Sequence, residues 1–369
     1  MTLYIGLMSG TSMDGIDAVL LEIDAAGMRV RAATARSWAP ELQQRLRRAA
    51  EDYLHFSLTE FGQLDTIVGR EFASAAEQLL RSAGIARDAI RAIGSHGQTV
   101  LHQPRNAVPF TLQIGDPNII AEALNIDVVA DFRRRDVAAG GEGAPLMPAF
   151  HAAAFGTPHQ YKAVANIGGI ANVTLLHANG DVTGFDTGPG NCLLDAWARK
   201  RLGRPQDSDG AWAATGRPNA TLLDRMLSDP YFLRTPPKST GRETFSDEWL
   251  ERISIGQSLE DADIQASLSE LTARTIAASL LAGGQEPKRL LVCGGGARNT
   301  DLMDRLKSAL PRSAVDTTAA CGIDPQHVEA AGFAWLAHRY ISALPGNLPS
   351  VTGARHAVAL GALYRGTVV

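Results

Sequence analysis

The chain has 369 residues, 45% hydrophobic and 20% charged, which suits about two globular domains and excludes a disordered or fibrous protein. Its 35 basic and 39 acidic residues leave a formal charge of −4, and only 6% of the chain is aromatic, so neither nucleic-acid binding nor a polybasic membrane surface is expected. Cys192, Cys293 and Cys321 stand far apart without a CxxC pair, and no secretory signal or run of about 20 apolar residues is expected, so a reducing, cytoplasmic setting fits.

Residues 3–8 and 16–23 read as two apolar strands joined by a turn of Gly, Ser, Thr and Asp. Helical periodicity over 41–54 places Leu42, Leu46, Ala49, Ala50 and Tyr53 on one face. Ser57 and Glu60 have capping-box spacing for a second helix, 58–82, which stops at Gly84. A strand over 90–94 ends in Gly94-Ser95-His96-Gly97, and a hairpin over 98–114 turns at 104–109. Asp116-Pro117 opens a helix, with Asp as cap and Pro at the first helical position. A strand over 126–130 then runs into Arg133, Arg134 and Arg135, followed by the loop Gly140-Gly141-Glu142-Gly143.

The pattern restarts at 161–167, 172–176 and 181–186, three strands around glycine-rich turns, which suggests an internal duplication of the opening plan. A long helix spans 259–282 from Ser258, a strand over 289–293 meets three glycines, and helix 300–310 follows. Asp324-Pro325 is expected to start the last long helix. Alternating strands and helices predict an α/β protein, with a boundary near 133–140.

Four loops have the composition of ligand-binding turns. GLMSGTSMDGID, at 6–17, packs small and acidic residues between two strands, which suits backbone approach to a phosphate; an ordinary hairpin is the alternative. No GK[ST] follows, so this is not a Walker loop. NIGGIAN, at 166–172, is a second such turn, and VCGGGARN, at 292–299, places three glycines after a strand. FDTGPGN, at 185–191, sets Asp186 beside a glycine loop and a helix start, where it serves as a general base or as a turn carboxylate. His96 alone reads more readily as a structural residue, and no HxxxH spacing suggests zinc. Arg133, Arg134 and Arg135 suit a solvated loop, or one of them binds an anionic substrate group, and Glu329 shares a helix face with core residues.

Taken together and in order, GLMSGTSMDGID, SHGQT, the GDP turn at 115–117, FRxxD at 132–136, GGEGAPLMP, NIGGIAN, FDTGPGN, VCGGGARN, EAAGFAWLA and LPSVTGA resemble the anhydro-N-acetylmuramic acid kinase family over nearly the whole chain. Ala331-Gly332 departs from the bulkier Met-Ala pair expected there. The resemblance implies the two-domain α/β fold of acetate and sugar kinases, Hsp70 and actin, with a mixed sheet in each domain and a nucleotide cleft between them. The implied domains are 1–133, joined by the returning segment 350–369, and 134–349, with a hinge near 133–140. The implied reaction turns 1,6-anhydro-N-acetylmuramate, ATP and water into N-acetylmuramate 6-phosphate and ADP, in peptidoglycan recycling.

By the same resemblance Asp186 is the catalytic base, and His96, Gly97, Gln98, Arg133 and Glu329 hold the sugar. ATP falls to Ser9, Gly10, Thr11, Ser12, Met13, Asp14, Gly15, Ile16 and Asp17, to Asn166, Gly168 and Gly169, to Gly188, Gly190 and Asn191, and to Gly294, Gly295 and Gly296. Mg²⁺ is implied, with Asp14 and Asp186 as candidate ligands, and so is a homodimer. The alternatives are a kinase of another sugar on this fold and an actin-like or Hsp70-like ATPase.

Overall fold

The structure is a computed structural model that describes residues 1–241, 243–255 and 259–366. The chain opens as a meander of β1 (Thr2–Ser9), β2 (Gly15–Asp24) and β3 (Gly27–Ser37), each antiparallel to the next. β3 was not expected from the sequence. It is an edge strand built from Arg and Ala, half exposed throughout, so it lacks the apolar run that marks its neighbours. Helices α1 (Pro40–Glu51) and α2 (Leu58–Ala83) follow. The capping box at Ser57 is present, with Ser57 N donating to Glu60 Oε2 at 3.1 Å and Glu60 N to Ser57 Oγ at 3.2 Å, and Gly84 ends α2 at φ 64°.

β4 (Ile90–Gln103) runs through the Gly-Ser-His-Gly stretch where a strand end was expected. Gly97, at φ 72°, is where its register against β1 shifts, so the glycine makes a bulge and not a terminus. β5 (Phe110–Ile114) completes the expected hairpin, and Asp116 caps α3 (Pro117–Leu124), accepting from Asn118 N at 2.9 Å. β6 (Val128–Ala130), α4 (Phe132–Ala138) and α5 (Met147–Phe155) follow. β4 is parallel to β1 and β6 to β4, and the core between this sheet and α2 contains Leu7, Leu20, Phe72 and Ile93.

The chain then repeats the plan. β7 (Lys162–Ile167), β8 (Ile170–Leu176) and β9 (Val182–Pro189) form a second antiparallel meander. Helices α6 (Cys192–Leu202), α7 (Ala220–Leu227), α8 (Asp247–Ser254) and α9 (Asp261–Leu281) lead to β10 (Arg289–Cys293), α10 (Thr300–Ala309) and β11 (Ala314–Thr317). β10 lies parallel to β7 and β11 to β10, as β4 and β6 do in the first sheet. The expected cap Ser258 lies outside the described residues. α9 is buried on two faces: Ala273 and Ile276 face this sheet's core, while Leu268 and Leu271 join Trp197 and Trp249 in a second cluster.

The last long helix, α11 (Val328–Ile341), begins later than Asp324-Pro325 suggests, because Asp324 Oδ1 accepts from Gln326 N at 2.9 Å in a turn that precedes it. α12 (Pro349–Thr352) and β12 (Ala362–Tyr364) follow, and β12 pairs antiparallel with β6. α11 lies against β1 and β4 at Gly6 and Gly94, where a Cβ would overlap Ala330 O and Phe333 O respectively. Gly332 faces Met147, whose sulfur fills the space a side chain would need, so the Ala331-Gly332 departure is matched by a bulky neighbour.

Contacts therefore divide the chain into Met1–Ala154 with the described residues from His327 onward, and Phe155–Gln326. Segments 134–154 and 327–349, assigned to the second domain in the sequence reading, belong with the first. Asp136 shows the reason. Fully buried, it accepts from Gly143 N at 2.8 Å, Asn347 Nδ2 at 2.8 Å and Thr352 Oγ1 at 2.9 Å, binding both segments to α4. The 133–140 stretch lies inside this unit, and the chain passes between units at 154/155 and 326/327.

Gly94→Ala should destabilise the protein by about 1–3 kcal/mol, the usual cost of overpacking. Gly62→Ala, on α2 with open space around its Cβ, should stabilise it by about 0.5–1 kcal/mol. Denaturant unfolding of both variants checks this, and equal midpoints for the two would contradict the packing described.

Candidate functional site

In the first unit the turn between β1 and β2 is held from behind. Ser9 Oγ lies 2.7 Å from both Gly15 O and Gln98 Oε1, sharing its one hydrogen between them. The Gln98 amide nitrogen donates to Gly10 O at 3.1 Å and Thr99 O at 3.2 Å, so this fully buried side chain is spent on the turn. Met13 N donates to Gly10 O at 3.1 Å, and Met13 itself, at φ 56°, is buried. Ile16 belongs to the core, and a Cβ on Gly15 would overlap Arg36 O. These residues shape the turn, whereas a Cβ on Gly10 would meet only Ser12 Oγ, at 3.8 Å, and Thr11 and Asp14 are exposed.

Beside this turn lies a polar cluster. The buried His96 ring packs on Phe333, centroids 4.6 Å apart, and its Nε2 accepts from Arg133 Nε at 3.0 Å. That bond puts the ring proton on Nδ1, and burial, then the Arg133 charge, hold the imidazole neutral with its pKa well below the usual range. Arg133 Nη1 donates to Gly143 O at 2.8 Å, and its remaining N–H groups have no hydrogen bond among the described residues. Glu329, in the first turn of α11, is raised above the usual carboxylate range by burial, with Arg133 opposing and Asp17 adding to the shift. Asp17 is also raised by burial, partly offset by His327. Spare guanidinium donors and a carboxylate acceptor suit a polyhydroxylated ligand.

In the second unit the β7–β8 turn, Gly168-Gly169, is braced by the loop after β9. Gly190 N and Cys192 N donate to Gly169 O at 2.9 and 3.1 Å, and Asn191 N donates to Gly168 O at 2.8 Å. These N–H groups, two of them on Gly190 and Asn191 to which the resemblance assigns ATP, are thus engaged within the protein. A Cβ on Gly190 would overlap Gly168 O, and Asn191 Nδ2 donates to Ile167 O at 3.1 Å. Gly188, at φ 144°, leaves only enough room for the Phe232 ring. The triple glycine closes on the same strand end, since Cβ atoms on Gly294 and Gly296 would overlap Asn166 Oδ1 and Ile167 Cγ2. Cβ atoms on Gly168 and the exposed Gly295 would make only van der Waals contacts, with Ile170 O at 3.6 Å and Asn191 Nδ2 at 3.4 Å.

Asp186 stands opposite Asn172 on β9. One segment clasps it at three points that sequence reading missed. Thr240 N donates to Asp186 Oδ2 at 3.0 Å, Tyr231 OH donates to Asp186 O at 2.7 Å, and Asp186 N donates to Lys238 O at 3.2 Å. The signal was faint: two prolines and two cations in the connection between α7 and α8, with no glycine motif. Burial pushes the Asp186 carboxyl up to about 6, opposed by the Thr240 N–H. No cation pairs with Asp186 among the described residues. Neither does any group of three His, Cys, Asp or Glu suited to a metal occur among them, and no helix is long and apolar enough to cross a membrane.

The profile of the anhydro-N-acetylmuramic acid kinase family matches residues 2–366. Relatives so named include that of Xanthomonas campestris pv. campestris (strain 8004), 51% identical over 98% of this chain and 97% of its own. That of Shewanella pealeana (strain ATCC 700345 / ANG-SQ1) is 50% identical over 98% of each. Among solved structures, the activator of the 2-hydroxyisocaproyl-CoA dehydratase from Clostridium difficile is 15% identical over 90% of this chain and 93% of that one, with a TM-score of 0.46. The ROK hexokinase from Thermus thermophilus is 16% identical over 91% of this chain and 100% of that one, with a TM-score of 0.39.

The Asp186 environment has a measurable consequence for stability. Its folded pKa exceeds the ordinary 3.8, so ionisation costs stability as pH rises from about 4 to about 6, and the cost stays constant above that. Asp186→Asn should therefore be more stable than the parent at pH 8, by up to about 3 kcal/mol, and the difference should vanish by about pH 4. Denaturant unfolding across this range tests it, and a pH-independent difference would contradict the assigned environment.

Proposed function

Because the chain belongs to the anhydro-N-acetylmuramic acid kinase family, we propose that Asp186 is the base that couples ring opening to phosphoryl transfer. The activity is the phosphorylation of anhydro-N-acetylmuramic acid. In that sugar the six-position oxygen is tied into an internal ether and carries no proton. Asp186 takes a proton from water, and the water oxygen bonds to the anomeric carbon. The bond from that carbon to the six-position oxygen breaks, and the released oxygen takes the γ-phosphoryl group of ATP. The products are N-acetylmuramate 6-phosphate and ADP, with the water proton left on Asp186.

One observation carries this reading: a buried carboxylate without a cation, one oxygen fixed by Thr240 N, with a pKa raised to about 6, close to the working range of a general base. Arg133 and Glu329 would hold the sugar beside the neutral His96, while Gly97 bends β4 and Gln98 acts through the turn it supports. The open faces of Gly10, Gly168 and Gly295 let backbone N–H groups approach the ATP phosphates and nucleoside. Mg²⁺ would arrive on those phosphates and neutralise their charge. That fits the lack of a three-ligand protein cage among the described residues and the exposure of Asp14, with Asp186 Oδ1 as the other candidate. The reading places the enzyme in cytoplasmic peptidoglycan recycling, as a homodimer.

Asp186→Asn should keep its fold and its ATP affinity while losing roughly 10²–10⁴-fold in turnover. Coupled ADP release with the anhydro sugar, alongside calorimetry with ATP, measures both. Near-parental turnover by the folded variant would remove Asp186 from the chemistry.

A further inference from the structure

The segment that clasps Asp186 carries a charge imbalance that the steps above leave unused. Tyr231, whose hydroxyl donates to Asp186 O, presents its ring to two cations: Lys238 Nζ lies 5.0 Å and Arg234 Cζ 5.8 Å from the ring centroid. Lys238 is also the residue whose carbonyl accepts from Asp186 N, so its backbone is fixed against the catalytic strand. Neither cation forms an ion pair with a carboxylate among the described residues. A cation over a ring is attracted by its π face, but two like charges at one ring oppose each other. Partial burial, then the charge of Arg234, push the Lys238 ammonium below the usual lysine range. A bound anion relieves both effects.

The substrate supplies one anion that distinguishes it from its commonest analogue. Muramic acid is glucosamine bearing a lactyl ether at C3, and the lactyl carboxylate is ionised at neutral pH. C3 is separated from the anomeric carbon by a single ring carbon, so a base at that carbon brings the carboxylate to the neighbourhood of its own flanking residues. We propose that Lys238, with Arg234, binds the lactyl carboxylate and so selects anhydro-N-acetylmuramic acid over anhydro-N-acetylglucosamine. This rests on the reading of Asp186 as the base at the anomeric carbon.

The test compares the two sugars, the second as a substrate or as a competitive inhibitor. Lys238→Met should raise KM for the muramic sugar about 10- to 100-fold, the range for losing a charge-assisted hydrogen bond, with a smaller change in kcat. KM for ATP and the inhibition constant of anhydro-N-acetylglucosamine should hold, and Lys238→Arg should recover part of the loss. Thermal unfolding checks the fold, and if Lys238→Met does not fold, the exposed Arg234→Met carries the same comparison with a smaller rise. Equal weakening of both sugars, unchanged constants, or a rise confined to KM for ATP, which would indicate phosphate recognition, would each overturn the proposal. Failure of the Asp186 reading is separate: it appears as retained kcat in Asp186→Asn, whatever Lys238→Met does.

Discussion

Two glycines, Gly6 on β1 and Gly94 on β4, let α11 lie on the first sheet at a distance that any Cβ would prevent. The rest of the polar cluster in the first unit follows from that approach. It brings Phe333 onto the His96 ring and within 5.6 Å of Phe132, and it sets Glu329 in the field of Arg133 and Asp17. A helix from late in the chain thereby completes a cluster founded on its earliest strands. The second unit solves its own packing in the same currency of missing side chains, with Gly190 against Gly168 and Gly294 and Gly296 against the end of β7. Some glycines are there for packing and others, such as Gly10 and Gly168, leave backbone open.

The two polar clusters differ in charge balance, and under the proposed function that difference separates binding from proton transfer. Arg133 and Glu329 face one another's fields, so each charge tempers the desolvation of the other. Asp186 has no such partner. Its carboxylate is stabilised by a single backbone N–H, and burial dominates. A carboxylate left in this state accepts a proton more readily than a paired one, which is what activation of water requires.

Much of this was legible in the sequence. Alternating apolar runs, the Ser57–Glu60 box and the Asp116-Pro117 cap carried local signals strong enough to place their elements. The glycine-rich motifs could be found but their division of labour could not, because whether Gly190 or Gly10 faces backbone or open space depends on strands far away in the chain. β3 was hidden because none of its residues is buried and so it lacks an apolar run, and the unit boundary was misplaced because Asp136 reaches Asn347 and Thr352 across more than two hundred residues. The Tyr231–Thr240 clasp left only a faint signal, since two of its three bonds use backbone atoms of the clasp that any residue supplies.

The central claim is that water, activated by Asp186, opens the ring at the anomeric carbon and frees the oxygen that is then phosphorylated. Turnover in ¹⁸O-labelled water, quenched early and read by mass spectrometry with fragmentation of the sugar phosphate, tests it directly. The account predicts one label on the anomeric oxygen, in excess of slow hemiacetal exchange measured on the finished product, and none on the oxygen bridging C6 to phosphorus. Label in the phosphate ester, or an anomeric oxygen that labels no faster than exchange, would contradict it.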